Sequence, residues 1–476
     1  MIKRGLRLGL LLGATSAQAH GIGGHVHVTG WAIEHLTASP LAAFLAEPAT
    51  KNAALIGAGF PDSGYAVGDG YGEMAHWEPF VEAHIQWVRT HYGPDYDTPE
   101  ARQQVGFLMG GAAHGLQDEL FDSVFLYQIS EHDGGSQDEA DPGTDGFLAV
   151  DGHLRFRPDL WVPADDLVQL FEAQGHGVEA GTIRRGMSLV RAYILGLPVI
   201  GVQLDADYRP LIPWTAEHYL DPTIPGSLAA EVPATAAYME ALWARLHGEF
   251  PVAGLATHAW PHQRRLRSRQ PDTVDGWITV IFGAGALVGS LTGDTVQLLD
   301  PAGEPVPIRV AHTRWGGSPT DSTRLVRIQP RAALSPDTTY TVRLAPGIEL
   351  ISGEVLDAPW TMLVRTPCDD PSADGCQDAE PEAFPPPAPD MGVDAEPDAA
   401  LADAALADAA LADATVPDAQ PTTDAQPADA QTDAGLTPDL GPLSTQPGEG
   451  CQSAPAPGPW ALLLLAVGGV LWRRRA

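Results

Sequence analysis

In the stretch "AAHGLQDELFD", His114, Asp118 and Asp122 fall on a four-residue beat. An imidazole and carboxylates at that spacing are divalent-ion ligands if the stretch is helical, because side chains four apart stand on one face about a turn apart. Asp122 would sit one turn further along and somewhat rotated. The preceding "TPEARQQVGFLMGGAAHG" predicts the helix: Thr98 can cap it, Pro99 suits the first turn, and Val105, Leu108, Met109 and Ala112 keep a helical rhythm. Glu119 points roughly 100° away around such a helix and is expected to lie off the site. The spacing fits equally a buried, hydrogen-bonded histidine with solvated acids, so this stretch alone leaves both readings open.

Other groups of the same chemistry precede and follow it. His20 and His25 lie in "HGIGGHVHVTGWAIEHL", Asp62 in "GAGFPDSGY", His76 before Trp77 in "GEMAHWEPF", and Asp141 and Asp145 in "DEADPGTDG". The pieces "FPD", "HW-P-F" and "H-G-x-x-D", in that order, resemble the zinc-dependent phospholipase C family and the catalytic domain of glycosylphosphatidylinositol-specific phospholipase D. They are more distantly similar to the trinuclear-zinc single-strand nucleases. The resemblance runs from His20 to about Asp151; from there to about residue 260 only helical character carries it.

The resemblance implies an all-α metal-binding domain and a ligand set. Asp62, His76, His114 and Asp118 would bind one zinc ion. Asp118 would bridge to a second, held by His25 and by the free amine and carbonyl of His20. Asp62 would serve also as the general base, a role the sequence does not separate from ligation, and Trp77 is expected to pack beneath the site. The family generally places histidines where this chain has Asp122 and Asp141, and an acid at Asp145. Three carboxylates make that third position harder and favour Mg²⁺, Mn²⁺ or Ca²⁺ over zinc; His132 and His153 are the nearby substitutes. Such ions suit phosphodiester hydrolysis, since they neutralise phosphoryl charge, orient the ester and acidify a bound water. The implied activity is hydrolysis of phospholipids or glycosylated inositol lipids, by C- or D-type cleavage. The alternative is a non-catalytic, metal-stabilised adhesion or recognition protein.

These groups need helices to hold them, and the chain up to about residue 262 supplies them. "HVHVTGWAIEHL", "WEPFVEAHIQWVRTHY", "TIRRGMSLVRAYILG" with Thr182 as its cap, and "PATAAYMEALWARLHG" ending at Gly248 all read as helical. His84 and His91, seven apart in the second, are expected on the surface. From 270 to 367, "GWITVIF", "DTVQLLD", "PIRVAHTR", "TRLVRIQP", "TTYTVRLAP" and "WTMLVRT" are short β-rich runs at sandwich spacing. Residues 334–356 resemble the final strands of bacterial Ig-like domains, which implies a spacer or adhesion module beyond a hinge near "RQPDTVDG".

The ends of the chain concern export. "MIKRGLRLGLLLGATSAQA" reads as a secretory signal peptide whose cleavage after Ala19 exposes the His20 amine. Cys368 and Cys376 would then meet oxidising conditions and are candidates to pair. The net charge of −34 is concentrated in 368–452, where no Lys or Arg occurs and "AALADAALADAALADA" repeats. Such composition predicts a disordered linker and argues against nucleic-acid binding. The chain finishes with Gly450-Cys451, an apolar run Pro459–Trp472 and three arginines, resembling MYXO-CTERM sorting tails; a plain membrane anchor is the other reading. Localisation outside the cytoplasm, surface-anchored or released, is expected either way. The oligomeric state is not legible.

Overall fold

The computed structural model of the protein describes residues 21–36, 39–261, 265–312, 320–370, 372 and 376. The signal segment, His20, most of the acidic linker and the terminal apolar run lie outside these residues.

Apolar periodicity closes the first part into helices: α1 (Ile22–His35), α2 (Pro40–Leu45), α3 (Pro48–Gly57), α4 (Phe60–Val67), α5 (Tyr71–Ala75), α6 (Glu78–Tyr92), α7 (Pro99–Leu120), α8 (Leu126–Asp133), α9 (Gln137–Val150), α10 (Ala164–Ala173), α11 (Ala180–Tyr208), α12 (Pro213–His218) and α13 (Leu228–His247). The ends follow local chemistry. Thr98 accepts from the Ala101 amide at 3.2 Å with Pro99 in the first turn of α7. Ser227 caps α13, and Gly248, at φ 70°, closes it in the left-handed region. The expected Thr182 cap is displaced: α11 begins at Ala180 with Glu179 at the cap position.

Two helices carry the site. In α1 only Glu34 and His35 are not buried, so it runs through the core rather than lying amphipathically upon it. α7 packs closely on α3, where a Cβ at Gly110 would meet the Ala54 carbonyl oxygen at 1.9 Å. After Leu120, α7 gives way to a π-helical turn over Phe121–Phe125, so Asp122 lies beyond the regular α-helix that carries His114 and Asp118.

The second part is antiparallel: β1 (Ala256–Trp260), β2 (Ile278–Leu287), β3 (Val296–Leu299), β4 (Ile308–Ala311), β5 (Ser322–Pro330), β6 (Thr339–Leu344) and β7 (Trp360–Arg365). One sheet has the order β1-β2-β5-β4 and the other β3-β6-β7. The six expected runs each form a strand. The expected boundary does not hold, because β1 pairs with β2 (Trp260 with Thr279), so the sheet begins before residue 262 and crosses the anticipated hinge. Cys368 and Cys376 form a disulfide.

Helices and sheet also share a core. Trp260, Val274, Ile281 and Leu325 belong to the same buried apolar cluster as Leu108, Leu116 and Leu120 of α7 and Met239 and Leu242 of α13. All nine residues of β5 are buried, because the sheet face that water would cover in a free module is covered by helices.

Candidate metal centre

His25 comes from α1, Asp62 from the first turn of α4, His76 from the end of α5, and His114 and Asp118 from α7. All five are at most 2% exposed. Their polar tips converge. Asp118 directs Oδ1 at His25 Nε2 (3.1 Å) and Oδ2 at His76 Nε2 (3.2 Å) and His114 Nε2 (3.5 Å). Asp62 Oδ1 lies 3.7 Å from His76 Nε2 and 3.9 Å from His114 Nε2. Two sets, His25–His114–Asp118 and Asp62–His76–His114, each bring their ligand atoms within 4.8 Å of one another.

The outer nitrogens fix the ring orientations. His76 Nδ1 donates to the Gly72 carbonyl at 2.6 Å and His114 Nδ1 to the Ala58 carbonyl at 2.7 Å. A carbonyl accepts only, so each ring carries a proton on Nδ1, and in the neutral ring Nε2 offers a lone pair. Those two Nε2 atoms face each other at 3.0 Å. His25 is set likewise: its Nδ1 meets Gln117 Oε1 at 2.9 Å, while Gln117 Nε2 donates to Thr29 Oγ1 at 3.1 Å. Opposed lone pairs beside two carboxylates repel one another unless they share a cation, so the donor set fits a metal ion. Asp62 Oδ2, buried without a hydrogen-bond partner among the described residues, adds an oxygen ligand or base.

The electrostatics have the same polarity. Burial pushes Asp118 up, yet His114 and His25 outweigh it and hold its carboxyl well below the usual range. Burial depresses His25 and His76; Asp118 and Asp62 more than offset this and raise both. His114 stays below its ordinary value, through burial and its neighbour His25.

The remaining candidates divide. Asp145 caps α1: its carboxylate accepts from the Gly23 amide at 3.1 Å, the Gly24 amide at 2.8 Å and the Tyr193 hydroxyl at 2.9 Å. Burial still raises it to about 6. Asp141 is held well above its usual range, first by burial and then by Asp122, Asp118, Asp62 and Asp145. Asp122, Asp141 and Asp145 thus form an acidic flank, but they are not among the described groups whose ligand atoms converge within 4.8 Å. His132 is exposed and stacks on Trp214, and His153 is half-buried; neither joins either ligand set. His20 lies outside the described residues; Gly21, next to it, sits where an added Cβ would meet Asp145 Cγ at 2.3 Å.

Three side chains escaped the sequence reading. Glu231 of α13 is fully buried, and burial followed by Asp118 and Asp122 holds its carboxyl well above the ordinary range. Its only signal was an acid inside an otherwise apolar helical run. Tyr193 and Gln117 position Asp145 and His25 as described above. A fourth contribution comes from β5. Arg324, fully buried, places Nε 2.9 Å from Glu119 Oε2 and donates from Nη2 to the His76 carbonyl at 2.8 Å. Glu119 is therefore a buried ion-pair partner, not the off-site acid expected. A Cβ at Gly115 would strike the His76 oxygen at 2.2 Å and Arg324 Nη1 at 2.7 Å, so a glycine is required where these groups meet. His84 is also buried, against the expectation of a surface pair, while His91 is exposed. Trp77 is buried and donates to Glu73 at 2.9 Å, in keeping with a packing role.

No family model and no curated protein matches the chain. Among solved structures it is similar to the S-layer protein rSbsC(31-844), at 11% identity and a TM-score of 0.18, over 65% of this chain and 46% of that one. It is also similar to the N-terminal part of the bacterial S-layer protein SbsC, at 10% identity and a TM-score of 0.18, over 69% and 79% of the two chains. This chain thus spans about half the length of the first of these structures. Likenesses at such TM-scores carry no structural argument.

Proposed function

We propose that the protein is an exported, surface-anchored, metal-dependent phosphodiesterase that hydrolyses phospholipids or glycosylated inositol lipids. The carrying observation is Asp118, whose two oxygens face different histidines, as a carboxylate shared by two cations must. Divalent ions, with zinc the best match to imidazole and carboxylate donors, would neutralise the phosphodiester and acidify a water. The chain's own groups have distinct tasks. The Gly72 and Ala58 carbonyls and Gln117 hold the rings, Asp118 spans the centre, and Asp62 Oδ2 is free to accept a proton. His20, exposed by signal cleavage, would complete the His25 side, and the acidic flank of Asp122 and Asp141 would be the place for a harder third ion.

The strand order supports an Ig-like reading of the β part: relabelled A to G, the sheets are ABED and CFG, as in immunoglobulin constant domains. The signal-like start and the sorting-type tail support export and surface retention. A second reading, metal-stabilised adhesion without catalysis, draws on Asp145, whose oxygens are already committed to α1 and Tyr193. Elemental analysis of the exported chain, paired with phosphate-ester release from a lipid panel before and after chelation, separates the two. Bound zinc with chelator-sensitive release supports the phosphodiesterase. Bound metal without release from any lipid supports adhesion, and a metal-free chain defeats both.

A further inference from the structure

α11 is apolar on two opposite faces, and only one of them is covered. Ile183, Met187, Val190, Ile194, Leu197 and Gly201 are buried against the molecule. On the other side Ser188, Ala192, Leu195, Val199, Val202 and Ala206 form one exposed stripe, with Val199 77% and Val202 61% exposed. No charged residue occurs between Arg191 and Asp205. Eight large hydrophobic side chains are exposed among the described residues, and six of them gather here. Leu195, Val199 and Val202 are on the stripe, and Leu211 follows the helix. Val150 ends α9, which packs along α11, and Leu160 adjoins Asp159, the ion-pair partner of Arg191.

We infer that this stripe docks on a lipid surface, lying in the headgroup–acyl boundary. A helix that is apolar all round belongs in a core or against lipid, and the outer face of α11 has no core. By length and composition the helix is apolar enough to cross a bilayer, yet its packing on α9 and α4 keeps it on the molecule, so it lies on a membrane rather than through one. Exposed Arg185 at one end, beside Arg184 in its ion pair with Asp165 at 2.8 Å, suits lipid phosphates. The chain also carries the apolar run Pro459–Trp472 with Arg473 to Arg475 behind it, a segment suited to hold the protein at a bilayer. The buried face of the same helix reaches the centre: Tyr193 donates to Asp145, and Leu197 lies where a Cβ on Gly23 would meet it at 2.5 Å. Docking would therefore bring lipid to the edge of the metal centre. That placement rests on the phosphodiesterase reading, whereas docking itself does not.

The test is hydroxyl-radical footprinting of the full chain with and without vesicles of phosphatidylethanolamine and phosphatidylglycerol. The readout is local, so it is not masked by the terminal apolar run. Vesicles should protect Leu195, Val199 and Val202, and the double variant Val199→Asp/Val202→Asp should lose that protection at Leu195. In the variant, hydrolysis of vesicle lipid should fall by roughly 10-fold or more, since charge on an interfacial face opposes insertion, while hydrolysis of a water-soluble phosphodiester stays unchanged. Unchanged footprints with vesicles overturn the inference. Protection that rises with protein concentration in their absence also overturns it, by assigning the stripe to a second copy of the chain. Protection by vesicles in a protein that cleaves no ester upholds docking and removes the phosphodiesterase reading instead.

Discussion

Arg324→Met separates an integrated β part from a passenger module. The guanidinium is fully buried; it pairs with Glu119 at 2.9 Å, lies 3.9 Å from Glu78, and donates to the His76 carbonyl. Glu78 keeps Arg245 at 2.6 Å and Tyr238 at 3.0 Å, so the acid left without its cation is Glu119, itself 4% exposed. Breaking a buried pair from one side costs about 3–5 kcal/mol, most of it from the stranded charge. Adding Glu119→Gln removes that charge, so the double variant should recover about 2 kcal/mol relative to additivity. Urea unfolding of the two single variants and the double variant gives the coupling directly. The second effect is local. His76 loses the donor that fixes its carbonyl, and loss of such an outer contact lowers metal affinity about 10- to 100-fold, measured by competition with a chromogenic chelator. A loss below about 1 kcal/mol with unchanged metal affinity would refute the coupling of β5 to the centre.

Two further outcomes are expected. Asp118→Asn should abolish hydrolysis and remove bound metal, because a neutral amide cannot balance two cations; Glu100→Gln, exposed on the same helix, should do neither, and equal small effects would return His114 and Asp118 to a structural role. Burial lowers His84 from 6.5 to about 4, so its stabilising contribution is present above pH 6.5 and lost as pH falls towards 4. His84→Leu should therefore flatten the acid limb of a stability–pH profile by up to about 3 kcal/mol, leaving the similar contribution of His27; an unchanged slope would contradict the assignment.

What could be read in the chain was local. His114 and Asp118 are a turn apart on a helix whose start Thr98 and Pro99 announce, and six strands were marked by alternation and turn residues. What escaped depended on distant packing. Strand β1 is five residues long with an irregular register beside Ala256, leaving little periodicity to detect. Arg324 and Arg327 are three apart in β5, which regular pleating would put on opposite faces; the irregular pairing with β2 and the helices laid over the sheet leave both buried against the helices. His84 and His91 share a side of α6, but the helix runs out of the core between them, so identical periodicity ends in opposite environments. Asp122 followed the beat on paper; it falls in the π-helical turn, a change of helix geometry that no pattern of apolar residues encodes.

The reach of Arg324 bears on how the protein is made. Its contacts with Glu119 and His76 join residues 205 and 248 apart in the chain. As the polypeptide leaves the ribosome from its first residue onward, every converging imidazole and carboxylate emerges well before the strand that braces them. Interrupted or clipped chains would carry the full complement of ligands yet lack the guanidinium that locks His76 in place. Completion of the His76 corner thus awaits the last third of the polypeptide.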